Sequence, residues 1–145
     1  MTTLTNSSID TAPRVVSGAL LRVAPLTGLA AAATNSVVYF AAKSLGFIPD
    51  TALVNGQPLT VVPVIISCIL PVMVAAGIFA LLGRFTKNPV RIFTMVAVVV
   101  LVLSFVNAFV AIPGVTLAMG IVLNLMHVVV AGFTLYAVRR YATTG

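Results

Sequence analysis

The chain contains no tryptophan, a single cysteine, a single histidine and only two acidic residues among its 145 positions. With Cys68 alone, an intrachain disulfide and a CxxC redox pair are both excluded, and with them thiol–disulfide chemistry of the quinone-coupled kind. The acidic residues are Asp10 and Asp50, and neither falls in an apolar stretch. Charge of either sign is scarce: 7% of residues are charged, whereas a soluble domain carries about a quarter. The sequence shows no nucleophile–base pair, no metal-ligand cluster and no glycine-rich phosphate loop, so the expectation is a protein that is not an enzyme and carries no cofactor or metal.

What the chain has instead is apolar length. Hydrophobic residues make up 61% of it, and the mean hydropathy is +1.21. They fall in four runs of about 20 residues, each long enough to cross a hydrocarbon layer of roughly 30 Å. The expected fold is therefore an all-α, antiparallel bundle of four transmembrane helices, with spans at about 23–42, 60–83, 92–112 and 119–138. Together, 13–145 form one domain. Residues 1–12 are rich in Ser and Thr and lack an apolar period, which reads as a disordered tail. Pro13 suits a first helical turn with Thr11 as a cap, and the basic segment Arg14 to Arg22 reads as interfacial. Ala30 to Ala33 mimic a signal-peptide cleavage site, but the basic region before them is long and the apolar run continues through Val37, Val38, Tyr39 and Phe40, so a span is expected.

The net charge of +6 would point to nucleic acid in a soluble protein, but here the basic residues flank the apolar runs. Arg14, Arg22, Arg84, Lys87, Arg91, Arg139 and Arg140 fall on one side of the spans, and Lys43 falls on the other. Under the positive-inside rule both termini and the 84–91 loop (RFTKNPVR) are cytoplasmic, while the 43–59 loop and the Pro113-Gly114 turn face outward. The expected partners are the lipid bilayer and a second copy or another membrane protein, with no nucleic acid. Anionic lipid at the basic residues is a secondary possibility. Within the outer loop, Asn55-Gly56 between Ala52-Leu53-Val54 and Leu59 to Val62 is a hairpin signal, which Pro58 weakens because it cannot donate to a ladder. Asp50 is expected to cap a turn after Pro49, and Pro63 and Pro71 to mark kinks.

Helices in lipid associate through small residues and interhelical hydrogen bonds. The first span offers a seam of Ala24, Gly28, Ala31 and Asn35, and the second Ala76, Ala80 and Gly83. In the third the seam is Ala97, Ser104, Ala108 and Ala111 with Asn107 beside it, and in the fourth Gly120, Asn124, His127, Ala131 and Thr134. Counting depth at 1.5 Å per residue puts Asn35, Ser67, Asn107 and Asn124 roughly 7 to 11 Å below the outer boundary, with His127 about one turn deeper. Pro71 adds to this layer by leaving the Ser67 carbonyl without its helical donor. Two readings stand: the layer is interhelical glue, or it lines an outward-facing cavity for a proton, small molecule or lipid headgroup, with His127 as the titrating group. Cys68 is expected to be a small buried hydrophobe.

Asn35, Tyr39 and Gly46 at the end of the first span, Arg84 to Pro89 with Phe93 entering the third, the Leu103-Ser104 pair and His127 together resemble a family of small bacterial four-helix membrane proteins, domain of unknown function 6069, over about residues 15–140. The resemblance implies the same topology in a bacterial cytoplasmic membrane and carries no activity. Small multidrug antiporters need a carboxylate within the membrane, which is missing here, and the tryptophan and paired cysteines of claudin-like proteins are missing as well. The leading expectation is a non-enzymatic tetraspan protein acting as an interaction or accessory subunit. The alternative is a small transporter, channel or lipid- or small-molecule-binding protein using the polar layer around His127.

Overall fold

The computed structural model describes residues 14–15, 17–54, 56–110, 112–141 and 143–144. The expected tail at 1–12, the Thr11 cap, Pro13, Asn55 and Ala111 lie outside the described residues. Four helices account for most of the chain: α1 (Ser17–Ser44), α2 (Val61–Phe85), α3 (Pro89–Val110) and α4 (Leu117–Tyr141). Each is long and apolar enough to cross a membrane. Short strands pair at the two ends of the bundle: β1 (Arg14–Val15) with β4 (Thr143–Thr144), and β2 (Leu53–Val54) with β3 (Gln57–Pro58).

The helix ends follow local chemistry. At the C-terminus of α1 the Gly46 amide bonds the Lys43 carbonyl at 3.0 Å and the Phe47 amide bonds the Ala42 carbonyl at 2.9 Å, with Gly46 at φ 74°. This is a Schellman stop, which needs a residue that tolerates positive φ. Pro89 opens α3 at its first position, where no intrahelical N–H is lost. The turn between α3 and α4 runs over Ile112-Pro113-Gly114-Val115, closed by Val115 N–H to the Ile112 carbonyl at 3.3 Å, with Gly114 at φ 72°. Thr116 then caps α4, its Oγ1 accepting from the Met119 amide at 3.2 Å.

Three details depart from the sequence expectation. The first helix begins at Ser17, later than the helical turn expected at Pro13, with Arg14–Val15 paired as a strand before it, and from there Leu20 and Ala24 fall on one stripe and are both buried in the core. Pro63 stands in the first turn of α2, where its nitrogen has no bond to lose, and only Pro71 lies inside the helix. Asp50 does not cap the turn after Pro49. That turn closes through Ala52 N–H to the Pro49 carbonyl at 3.0 Å, and the Asp50 carboxylate pairs with Lys43 Nζ at 3.0 Å on an exposed surface.

The β2–β3 hairpin forms with Leu53 opposite Pro58 and Val54 opposite Gln57. Leu59 N–H bonds the Ala52 carbonyl at 3.0 Å, which makes Ala52–Leu59 a hydrogen-bonded pair and Leu53–Pro58 a non-hydrogen-bonded one. The Pro58 nitrogen therefore faces away from its partner, and the missing N–H costs the ladder nothing. Tyr39 Oη donates to the Leu59 carbonyl at 3.0 Å, tying the hairpin to α1.

In the bundle α1 packs against both α2 and α4, while α3 leans mainly on α4 and meets α2 lightly. The α2–α3 contact includes an edge-to-face pair, Phe79 with Phe93, at 5.6 Å near the basic end. The core divides into clusters along the axis. One, at the basic end, joins Leu20, Ala24, Val72, Ala76, Phe79, Phe93, Ala137 and Val138; another, at the hairpin end, joins Tyr39, Ile48, Val64, Ile112, Met119, Val122 and Met126. In α3 only 11% of the most apolar stretch is buried, against 39% in α1, which makes α3 the peripheral helix.

Candidate functional site

The small-residue seam of α1 is the organising feature of the polar residues. Ala24, Gly28, Ala31 and Asn35 are all buried, as their spacing predicts. At Gly28 the two backbones approach closely: a Cβ there would sit 3.1 Å from Ile69 Cα of α2. Asn35 is carried by this seam into the junction of three helices, where it is 1% exposed. Its Nδ2 donates to Met126 O of α4 at 3.0 Å and to Cys68 Sγ of α2 at 3.2 Å. One amide group thus ties α1 to both of its neighbours, in a setting where an unbonded donor would cost several kcal/mol (on the order of 2 to 7). Cys68 is buried, as expected, and it is also a hydrogen-bond acceptor. Neither that role nor the use of the Met126 carbonyl has a sequence signal, since the first needs a partner from another helix and the second is backbone.

The remaining four polar residues do not join Asn35. Asn124 is half-buried on the opposite flank of α4, its Nδ2 at 3.5 Å from the Phe105 carbonyl of α3. Near it the Phe109 ring lies over Gly120, where a Cβ would overlap it. Ser67 is exposed and donates to its own helix, to the Val64 carbonyl at 2.9 Å. Asn107 is exposed and its amide bonds to no described residue. The bonds place Asn35, Cys68 and Met126 side by side, and Ser67 and Asn124 are one and two residues from Cys68 and Met126 along their helices. Depth alone does not bring side chains together: Ser67 is turned about 100° from Cys68 on the same helix.

His127 occupies a different position. It lies seven residues from both Gly120 and Thr134, on the stripe of α4 that is otherwise buried or half-buried, and not on the exposed stripe Ile121, Leu125, Val128, Gly132 and Tyr136. Yet it is itself exposed. Its Nδ1 lies 2.7 Å from the Leu123 carbonyl. A carbonyl only accepts, so Nδ1 carries the proton and, in the neutral ring, Nε2 is left as a bare acceptor ten residues into the helix. Two further acceptors, Asn35 Oδ1 and Asn124 Oδ1, are buried with no partner among the described residues.

A cavity of about 10 Å³ lies between α1, α2 and α4, lined by Thr27 and Thr134 among apolar side chains, which is room for one water at most. Both threonine hydroxyls donate to carbonyls of their own helices, Val23 and Val130. Among the described residues no three of His, Cys, Asp and Glu come together in a way that could hold a metal ion.

The model of a family of unknown function (DUF6069) matches residues 15–144. No curated protein and no solved structure matches the chain.

Proposed function

Since the chain belongs to the DUF6069 family, whose function is unknown, we propose from its own geometry that it is a non-enzymatic interaction or accessory subunit of a bacterial cytoplasmic membrane, with both termini on the cytoplasmic side. Its contact surfaces are the exposed side of α3 at Asn107 and the exposed side of α4 at His127. The observation that carries the reading is the exposure of Asn107 and His127 on helices long and apolar enough to cross a membrane, with the Asn107 amide bonded to no described residue and, in the neutral ring, His127 Nε2 an open acceptor. In hydrocarbon such groups find partners or cost stability. A transmembrane segment of another chain, bringing a donor to His127, satisfies them. The basic residues, seven on one side against Lys43 on the other, support the orientation.

The transporter or channel alternative drew on a shared layer of Asn35, Ser67, Asn107, Asn124 and His127. Asn35 is sealed among three helices while Ser67, Asn107 and His127 are exposed, so no single cavity is lined by all five. The association reading is tested by His127→Leu and Asn107→Leu in native membranes. Co-purification of partners, or energy transfer between labelled copies, is expected to fall while the melting temperature of the isolated protein in detergent stays unchanged. Undiminished association in both variants would remove the reading.

A further inference from the structure

The end of α4 carries a surface that the association reading does not use. Gly132, Leu135, Tyr136, Arg139 and Arg140 line an open crevice of about 380 Å³. Their spacing, i, i+3, i+4, i+7 and i+8, places them along one side of the helix. Gly132 has nothing within 4 Å of where a Cβ would stand, so bare backbone floors the apolar end of the crevice. Arg139 lies two turns further on, roughly 10 Å along the axis. Tyr136, 64% exposed, stands between them.

Among the described residues the charge at this end has no internal counterpart. Among the described residues the only acidic side chain is Asp50, which is paired with Lys43 at the opposite end of the bundle. Arg139 and Arg140 are exposed, and so are Arg22, Arg84, Lys87 and Arg91 at the same end. Two guanidinium groups next to an apolar notch, on a helix long and apolar enough to cross a bilayer, match a ligand with an anionic oxygen cluster joined to an alkyl chain.

We propose that this crevice is a binding site for an anionic phospholipid, with the phosphodiester held by Arg139 and Arg140, the Tyr136 hydroxyl beside it, and the first part of an acyl chain lying over Gly132 against Leu135. The requirement for both ends distinguishes it from the diffuse attraction any basic surface exerts on an anionic leaflet. The proposal rests on insertion of the four helices in a bilayer and not on what Asn107 and His127 bind.

The experiment is native mass spectrometry of the full chain released from nanodiscs containing phosphatidylglycerol and phosphatidylcholine in equal amounts. The wild-type protein is expected to retain phosphatidylglycerol selectively. Arg139→Gln with Arg140→Gln should reduce that retention on the order of tenfold. Gly132→Leu, which fills the notch and keeps every charge, should reduce it as well. Arg84→Gln with Arg91→Gln, which removes the same charge elsewhere at that end, should leave it unchanged. Equal losses in the two arginine pairs, or retention unaffected by Gly132→Leu, overturn the proposal in favour of diffuse charge. Displacement of the lipid by inorganic phosphate overturns it in favour of a free-anion site. Melting curves of each variant in lipid-free detergent identify unfolding as a cause of loss, and the single variants Arg139→Gln and Arg140→Gln then carry the test.

Discussion

At the scale of the residue, burial and bonding separate polar side chains that the depth count had grouped. Asn35 makes two interhelical hydrogen bonds from one nitrogen, whereas His127 bonds only its own helix. Asn35→Ala is therefore expected to lower stability in detergent by about 1 to 2 kcal/mol, and His127→Ala to change it by less than about 0.5 kcal/mol, read from unfolding by a denaturing detergent. Cys68, 1% exposed, should resist a membrane-permeant maleimide in the native protein and react once the bundle is unfolded. Labelling at the same rate in both states would mean that the α1–α2–α4 junction is open. The burial of Asn35, through its place on the Ala24–Gly28–Ala31 seam, and that of Cys68 were legible in the sequence, whereas the bond between them and the exposure of His127 were not.

At the scale of the element, the glycines report which helix faces meet. Gly28 sits where α1 and α2 are closest, 3.1 Å from a Cβ to Ile69 Cα, while Gly132 opens onto empty space. Gly28→Ala should destabilise by about 1 kcal/mol, because the neighbour is backbone and yields poorly. Gly132→Ala should be neutral or stabilising by up to about 1 kcal/mol, since it adds helix propensity without a clash. A matching loss at both positions would contradict the arrangement of α1, α2 and α4. The hairpin is the second element to test. Tyr39→Phe removes the bond to the Leu59 carbonyl and should cost about 1 kcal/mol, with faster amide exchange confined to residues 52–59. The hairpin was legible from Asn55-Gly56, and Pro58 was misleading because its effect depends on which rung of the ladder it occupies.

At the scale of the whole molecule, the fold leaves α3 on the outside. Its seam of Ala97, Ser104 and Ala108 is buried or half-buried, as the spacing predicts, and it packs on α4 at Gly120 and Asn124 and on α2 through the Phe93–Phe79 contact. Orientation is a property of the molecule in its membrane. A reporter fused to the carboxyl terminus is expected to be active only in the cytoplasm, and so is one in the 84–91 loop, while one in the 53–58 hairpin is expected to be active only outside. Periplasmic activity of the carboxyl-terminal fusion would reverse the assignment of sides and leave the internal packing untouched.

Amino-acid order by itself determined the number of helices, their approximate ends, the stripe by which α1 packs and the concentration of basic charge at one end. Each of these depends on local spacing: the length of apolar runs, the positions of Gly and Pro, and the 3.6-residue period. Tertiary structure alone decided that Asn35 reaches Cys68 and Met126, that Ser67, Asn107 and His127 are left outside, and that a crevice opens along Gly132 and Arg139. The physical reason is rotational. Sequence spacing places a side chain around its own helix axis, but which neighbour meets that face, or whether any does, depends on how the four axes are set against one another.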